Sequence, residues 1–223
     1  MVNYGSYNFK EEIFNAISHW IGFALGIVGL IFLVIFGAKN KSTLQITGFS
    51  IYGASLIILY LCSALYHSIP FMRAKNVLRI LDHLSIYLLI AGTYTPIILN
   101  SFRGRERIIL ISVIWGLSLA GIIYKLFIKG KFSKFAKLST FIYLFLGWVS
   151  LLLIKQILLT TSINFVVLLF VGGILYSIGS IFYIDKKIPY NHFIWHIFVL
   201  AASFSHYLGI MGAYALGGIW KEI

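Results

Sequence analysis

Long apolar runs alternate with short polar segments along almost the whole chain. Each run holds about 20 residues or more, which is the length of α-helix that crosses about 30 Å of hydrocarbon. Pro70 marks the end of the second run, because proline cannot continue a helix. The pattern predicts an all-α integral membrane protein with seven transmembrane helices. They lie approximately at residues 13–37, 44–69, 76–99, 107–128, 135–154, 163–184 and 192–216.

The composition supports a membrane protein and excludes a water-soluble core. Of the 223 residues, 60% are hydrophobic and 11% are charged, and the mean hydropathy is +0.95. Every loop is short, and no cleavable signal peptide is indicated, so residues 1–223 are expected to form one membrane domain. The single cysteine, Cys62, excludes an intramolecular disulfide.

Basic residues strongly outnumber acidic ones, with 18 Lys and Arg against 6 Asp and Glu. Most of them lie in the short loops between apolar runs, so membrane topology and anionic lipid headgroups explain them better than nucleic acid does. We therefore expect membrane lipids, and no nucleic acid, as partners.

The distribution of the basic residues predicts the orientation of the chain. With the N-terminus inside, eleven of the 18 Lys and Arg residues fall on the cytoplasmic side and seven on the other. This bias predicts a cytoplasmic N-terminus and an outer C-terminus in the cell membrane. The basic segment 125–137 is expected to anchor at the inner surface.

The rare polar residues within the spans gather at one depth. His192 and His196 lie four residues apart at the start of the seventh span, so they share a helical face and are able to bind one metal ion. Ser63 and His67 share a face at the end of the second span, and Asp82 is expected in the first turns of the third. In the predicted topology these residues, and five of the six histidines, lie in the cytoplasmic half of the membrane.

Each of these residues also has a purely structural interpretation. Histidines that flank a tryptophan at a helix end can be plain residues of the membrane interface. Ser63 suits helix packing, and Asp82 suits a helix cap or an ion pair with Arg79.

Three further histidines have secondary roles in this scheme. Glu12, Asn15 and His19 share one face of the first helix and should tie it to the site by hydrogen bonds, since polar groups are costly in lipid. His83 points about 100° away from Asp82, which favours packing over ligation. His206 lies about 15 Å deeper than His196 and is too far to join the same ligand set.

Three motifs occur in order along the chain. They are Glu12-x-x-Asn15-x-x-Ser18-His19, then Ser63-x-x-x-His67 followed by Leu81-Asp82, then His192-x-x-x-His196 followed by Ala201-Ala202 and His206. With these motifs nearly the whole chain resembles the hemolysin III family, the bacterial branch of the progestin and adipoQ receptor (PAQR) superfamily. The resemblance implies seven helices with a cytoplasmic N-terminus, and zinc bound by His67, His192 and His196. It further implies that Asp82 reaches the metal through a water, with Ser63 close to that water. His83 departs from the adiponectin receptors, which have an aromatic residue there.

Three imidazoles and a water make a zinc site with an open position, which favours catalysis. Such zinc lowers the pKa of water to about 7 and polarises a carbonyl, so hydrolysis of an amide or ester follows naturally. Phe193 stands where zinc proteases carry a glutamate, so a general base must come from another helix, and Asp82 is the acid at the right level. We therefore predict zinc-dependent hydrolysis of a lipid amide or ester, similar to a ceramidase, with Asp82 and Ser63 as catalytic candidates.

Two other functions remain open at this point. One is a sensor or regulator of membrane state with structural zinc. The other is a hemolysin-like pore, which is less supported because a pore needs a polar stripe through the whole membrane. The sequence indicates no protein partner and no oligomeric state.

Overall fold

The helices of the computed structural model follow the apolar runs of the sequence. The structure describes residues 9–132 and 134–216, and in that part of the chain seven helices are long and apolar enough to cross a membrane. This confirms the predicted all-α, seven-span architecture. The helices are α1 (Phe9–Lys39), α2 (Thr43–Ser68), α3 (Met72–Ser101), α4 (Gly104–Phe127), α5 (Ala136–Thr160), α6 (Ile163–Ile184) and α7 (Asn191–Ala215).

The start of α3 differs from the prediction. The helix begins at Met72, four residues before the predicted start, and Phe71 is its extended N-cap residue. Asp82 therefore lies in the third turn of α3 and not in its first turns. This position rules out the capping role that its sequence context allowed, because only the first turn of a helix has free N–H groups.

The predicted end of α5 at residue 154 is wrong, since the helical path continues to Thr160. It does so through a 3-10 segment, Val149–Leu153. The Tyr94 hydroxyl of α3 lies 2.9 Å from the carbonyl oxygen of Leu146 and 2.7 Å from that of Gly147. A hydroxyl that hydrogen-bonds to these carbonyl oxygens competes with the α-helical hydrogen bonds of the next turn. This competition explains why the helix adopts the tighter 3-10 geometry there.

The main core lies between α1, α2, α3, α6 and α7, and the end of α5 adds Ile157 to it. It contains large buried side chains such as Leu33, Tyr52, Ile97 and Phe165. A smaller cluster around Tyr94, Ile98 and Ile114 joins α3 to α4. Where α2 meets α3, Gly92 allows close approach, because a Cβ atom there would lie only 2.0 Å from the Ser55 hydroxyl oxygen.

The outer faces of the bundle are apolar. Phe127 and Leu152 are 84% and 83% exposed, and many other large apolar side chains share this orientation. Such a surface would drive aggregation in water, but it matches the hydrocarbon of a bilayer, as the sequence predicts.

The prediction that segment 125–137 is a surface anchor is wrong for its first residue. Lys125 is only 1% exposed. Lys129, Lys131, Lys134 and Lys137 are exposed. The sequence alone could not separate Lys125 from these, because all five lie near the end of an apolar run.

Candidate metal centre

Three histidines from two helices meet at one end of the bundle. His67 lies in the last turn of α2, while His192 and His196 lie in the first two turns of α7. The Nε2 atoms of His67 and His192 are 3.2 Å apart, and one nitrogen from each of the three rings lies within 4.8 Å of the others. The three residues that the sequence selected as metal ligands are therefore brought together, and they can reach a common point.

The nitrogen geometry fits a small divalent ion. With zinc to nitrogen bonds of about 2.0–2.1 Å, two ligand nitrogens of a tetrahedral site lie about 3.3 Å apart. The separation of 3.2 Å between His67 and His192 is close to this value. Neutral imidazole nitrogens suit zinc, so the donor set fits the metal that the sequence predicts.

His196 is held in the tautomer that a metal ligand needs. Its Nδ1 atom lies 3.2 Å from the carbonyl oxygen of Asn15 in α1. A carbonyl oxygen can only accept a hydrogen bond, so Nδ1 carries the proton and the Nε2 lone pair is free. The Ser18 hydroxyl lies 3.2 Å from the same Nδ1 atom and donates to the Asn15 carbonyl at 2.8 Å.

A carboxylate lies beside the Nδ1 atom of His67. Oε2 of Glu12 lies 3.3 Å from His67 Nδ1, a contact that is electrostatic because no aligned hydrogen bond forms there. Lys75 holds this carboxylate in place, since its Nζ atom lies 2.5 Å from the same oxygen and also donates to the Tyr66 carbonyl at 2.9 Å. A carboxylate on the far nitrogen of a ligand histidine fixes the ring and raises its basicity. Sequence reasoning missed Lys75, although a lysine facing Glu12 across two helix ends could have suggested it.

His19 contacts the cluster by stacking. Its ring lies parallel to that of His196, with a centroid distance of 3.6 Å and an interplanar angle of 7°. Neither of its ring nitrogens has a hydrogen-bond partner in the described part of the chain. The prediction that α1 is tied to the site by hydrogen bonds is therefore correct for Asn15, through its backbone, and wrong for His19.

Asp82 and Ser63 lie beside the histidines. Ser63 neighbours the Asp82 carboxylate, and both line the same cavity as His192 and His196. Within the described residues Asp82 forms no ion pair with Arg79, and the ring of His83 lies close by, with its Nδ1 atom 3.7 Å from Asp82 Oδ2. The carboxylate thus remains directed toward the cavity.

His83 and His206 lie outside the cluster of three. His83 Nδ1 lies 2.7 Å from the Arg79 carbonyl oxygen, and its ring stacks on Phe132. His206 Nε2 lies 3.1 Å from the Leu169 carbonyl oxygen. Both rings occupy packing positions in the cavity wall, as their sequence positions suggest.

A cavity of about 160 Å³ extends from the histidines into the bundle. Asp82 and Ile97 both line it, and fifteen residues of α3 separate them, which is about 22 Å of helix at ~1.5 Å per residue. Its walls are mostly apolar or aromatic beyond the histidine end. They include Leu59, Ile86, Leu89, Tyr143, Trp148, Phe170 and Val199. The cavity is therefore a narrow passage with largely apolar walls, in which most ionisable groups lie at the histidine end and Thr93 and His206 line the deeper part.

Comparison with known proteins agrees with the motifs. The sequence model of the family described as "Haemolysin-III related" matches residues 7–207. The chain is 48% identical over 197 residues to "Hemolysin-3 homolog" of Bacillus subtilis (strain 168), which covers 88% of this chain and 91% of that protein. It is 45% identical over 194 residues to "Hemolysin-3" of Bacillus cereus, which covers 87% of each. A more distant relative is "Monocyte to macrophage differentiation factor" of Homo sapiens, 28% identical over 166 residues, or 72% of this chain and 67% of that protein. With its seven spans, the chain therefore belongs to the haemolysin III family of multi-pass membrane proteins, in agreement with the predicted plasma-membrane location.

Proposed function

We propose that this protein is a zinc-dependent hydrolase that cleaves an amide or ester bond of a membrane lipid. The observation that carries the proposal is the position of the three histidines at the polar end of an apolar cavity, beside Asp82 and Ser63. His67, His192 and His196 would hold the zinc. Zinc bound by three imidazoles polarises a carbonyl and lowers the pKa of water, which is the chemistry that hydrolysis needs.

Asp82 is the general base in this proposal. Its carboxylate lines the cavity, where it can accept a proton from the attacking water and pass it to the leaving amine or alkoxide. Ser63, which neighbours Asp82, would donate a hydrogen bond that orients the carboxylate. Asn15 and Glu12 keep His196 and His67 turned toward the metal.

The apolar passage supplies the binding site for an acyl chain. Because its walls offer few polar groups over about 22 Å of helix, a hydrocarbon chain can lie there while the scissile carbonyl stays at the histidine end. The same walls exclude bulk water from the reacting groups.

Several polar side chains deeper in the membrane do not support a pore. Thr93 and Thr95 donate to carbonyls of their own helix at 2.8 Å, and Ser203 does the same at 3.1 Å. His206 is bound to the Leu169 carbonyl. Thr95 and Ser203 are also buried and do not line the cavity, so these groups do not supply the continuous polar stripe that conduction requires.

A sensor of membrane state with structural zinc is the second candidate. It is favoured by the fact that the histidines come from α2 and α7, so that a metal would fix the distance between these helices. Metal analysis of the purified protein, with identification of co-purified lipids and an assay for released fatty acid, separates the two. Zinc together with fatty acid release supports the hydrolase, whereas zinc with no release from a broad lipid panel supports the sensor.

A further inference from the structure

Lys125 is a cation buried between aromatic rings. Its side chain is 1% exposed, and its Nζ atom lies 5.2 Å from the ring centroid of Phe132 and 5.3 Å from that of Tyr143. Among the described residues it forms no hydrogen bond and no ion pair. Aromatic faces attract a cation, but they replace only part of the hydration that a buried ammonium ion loses.

Two further cations approach the same region from other elements. The guanidinium carbon of Arg79, on α3, lies 5.5 Å from the same Phe132 ring. Nζ of Lys186, which follows α6, lies 4.8 Å from the Tyr183 ring. Arg79 interacts electrostatically with both lysines. Like charges so arranged repel, and an anion placed between them would relieve that repulsion.

This cationic cluster of Arg79, Lys125 and Lys186 adjoins the candidate metal centre. Phe132 stacks on His83 with a centroid distance of 4.6 Å, and His83 neighbours Asp82. Tyr143, whose ring contacts Lys125, and Tyr183, whose ring contacts Lys186, both line the cavity. The cluster therefore lies next to the polar end of the cavity, on the side of Asp82.

Asp82 does not neutralise the cluster. Its carboxylate interacts electrostatically with His67, Arg79 and Lys125. Lys186 interacts with a second carboxylate, that of Glu11. Two carboxylates therefore face the three cations, and the described part of the chain contains no ion pair between them. The cluster thus retains excess positive charge at a place where a lipid headgroup would meet the protein.

We propose that Arg79, Lys125 and Lys186 form a subsite for a phosphate group, and that this group belongs to the lipid substrate. An arginine fork and two ammonium groups are the donors that commonly bind phosphate. The inference rests on the proposed function and sharpens it, because it makes the substrate an anionic phospholipid and not a neutral lipid. The acyl chain lies in the apolar passage, its carbonyl meets the histidines, and its phosphate contacts the cluster.

Binding can be tested without turnover by an ether-linked phosphatidylglycerol, which has no ester to cleave. The purified, delipidated full-length protein is titrated with this lipid, with the matched ether-linked glycerolipid that lacks phosphate, and with inorganic phosphate. We expect the wild type to bind the phosphate-bearing lipid about 10-fold or more tightly than the phosphate-free one. Lys125→Met and Arg79→Gln should each lose about 10-fold or more of that affinity and leave the binding of the phosphate-free lipid unchanged.

Lys129→Met is the matched control, because it removes one positive charge from an exposed lysine near the same end of α4. It should bind the phospholipid within about 2-fold of wild type. Equal loss in this control, or equal affinity for the two lipids, overturns the subsite. Inorganic phosphate that binds as tightly as the lipid overturns the lipid assignment. If Lys125→Met does not fold, Arg79→Gln, at a half-buried site, gives the same comparison. Absent hydrolysis would defeat the proposed function and leave this binding result intact.

Discussion

The Nε2 atoms of His67 and His192 face each other at 3.2 Å across the gap between α2 and α7. Two neutral imidazole lone pairs at this distance repel unless a proton or a metal ion lies between them. On the opposite side of the ring, His67 Nδ1 lies 3.3 Å from the Glu12 carboxylate, which Lys75 holds in place. The facing nitrogens are therefore the structural basis for the first prediction.

Purified protein should contain about one zinc per chain, and His67→Ala or His192→Ala should lose most of it, because two imidazoles cannot complete a tight tetrahedral site. Elemental analysis measures this directly. Since a metal would join α2 to α7, both variants and chelated wild type should also show a lower Tm. His206→Ala is the control, because His206 lines the same cavity but binds the Leu169 carbonyl. Unchanged zinc in both ligand variants would contradict the site.

Glu12→Gln should weaken metal binding by about 10 to 100-fold, as loss of a group that orients a ligand does elsewhere. The amide keeps the shape of the carboxylate but removes the charge opposite His67 Nδ1 and Lys75. Competition with a zinc chelator of known affinity gives the measurement. Glu11→Gln removes the same charge one residue away and should leave affinity within about 2-fold; an equal effect of both would reduce Glu12 to a general electrostatic role.

Gly92→Ala should destabilise the protein by about 1–3 kcal/mol, the usual cost of overpacking. The new Cβ atom would lie 2.0 Å from the Ser55 hydroxyl oxygen and 2.7 Å from its Cβ, so two helices must move apart. Gly116→Ala is the matched control, because nothing lies within 4 Å of its added Cβ. Thermal unfolding in detergent compares the two, and an equal Tm for both variants would show that the α2–α3 contact is looser than described.

The N-terminus is predicted to be cytoplasmic and the C-terminus to lie outside, because seven spans place the ends on opposite faces and Lys and Arg favour this orientation. A C-terminal alkaline phosphatase fusion should be active, and a C-terminal fluorescent protein that folds only in the cytoplasm should be dark. The reverse pair of results would invert the topology.

The sequence predicts the spans well, because a bilayer requires long apolar helices and leaves few alternatives. It fails where a tertiary contact decides the local structure. The 3-10 segment of α5 depends on Tyr94 of α3, which no pattern within residues 149–153 reveals. The sequence does not indicate the early start of α3, because residues 72–75 contain two basic residues and are not part of an apolar run.

The candidate site is likewise only partly visible in the sequence. His67, His192 and His196 could be selected because imidazoles are rare in lipid and share one depth. Lys75 behind Glu12 and the burial of Lys125 could not be predicted, since each depends on how helix ends meet in three dimensions. The stacking of His19 on His196 could not be predicted for the same reason.

Asp82→Asn distinguishes a catalytic metal from a structural one. The substitution keeps the size of the side chain and one acceptor oxygen, but it removes the capacity to take a proton. Zinc should stay bound, with affinity reduced by no more than about 10 to 100-fold. Hydrolysis should fall by about 100-fold or more, as expected for the loss of a general base.

The decisive measurement is fatty acid release from phospholipid and ceramide-like substrates in nanodiscs, with zinc content determined on the same samples of wild type, Asp82→Asn and His67→Ala. The proposed function predicts release by wild type, about 100-fold less by Asp82→Asn with its zinc retained, and none by His67→Ala. Equal release from wild type and Asp82→Asn, above the His67→Ala background, would contradict the role of Asp82 as base. No release from zinc-loaded wild type on any substrate would contradict the hydrolase itself.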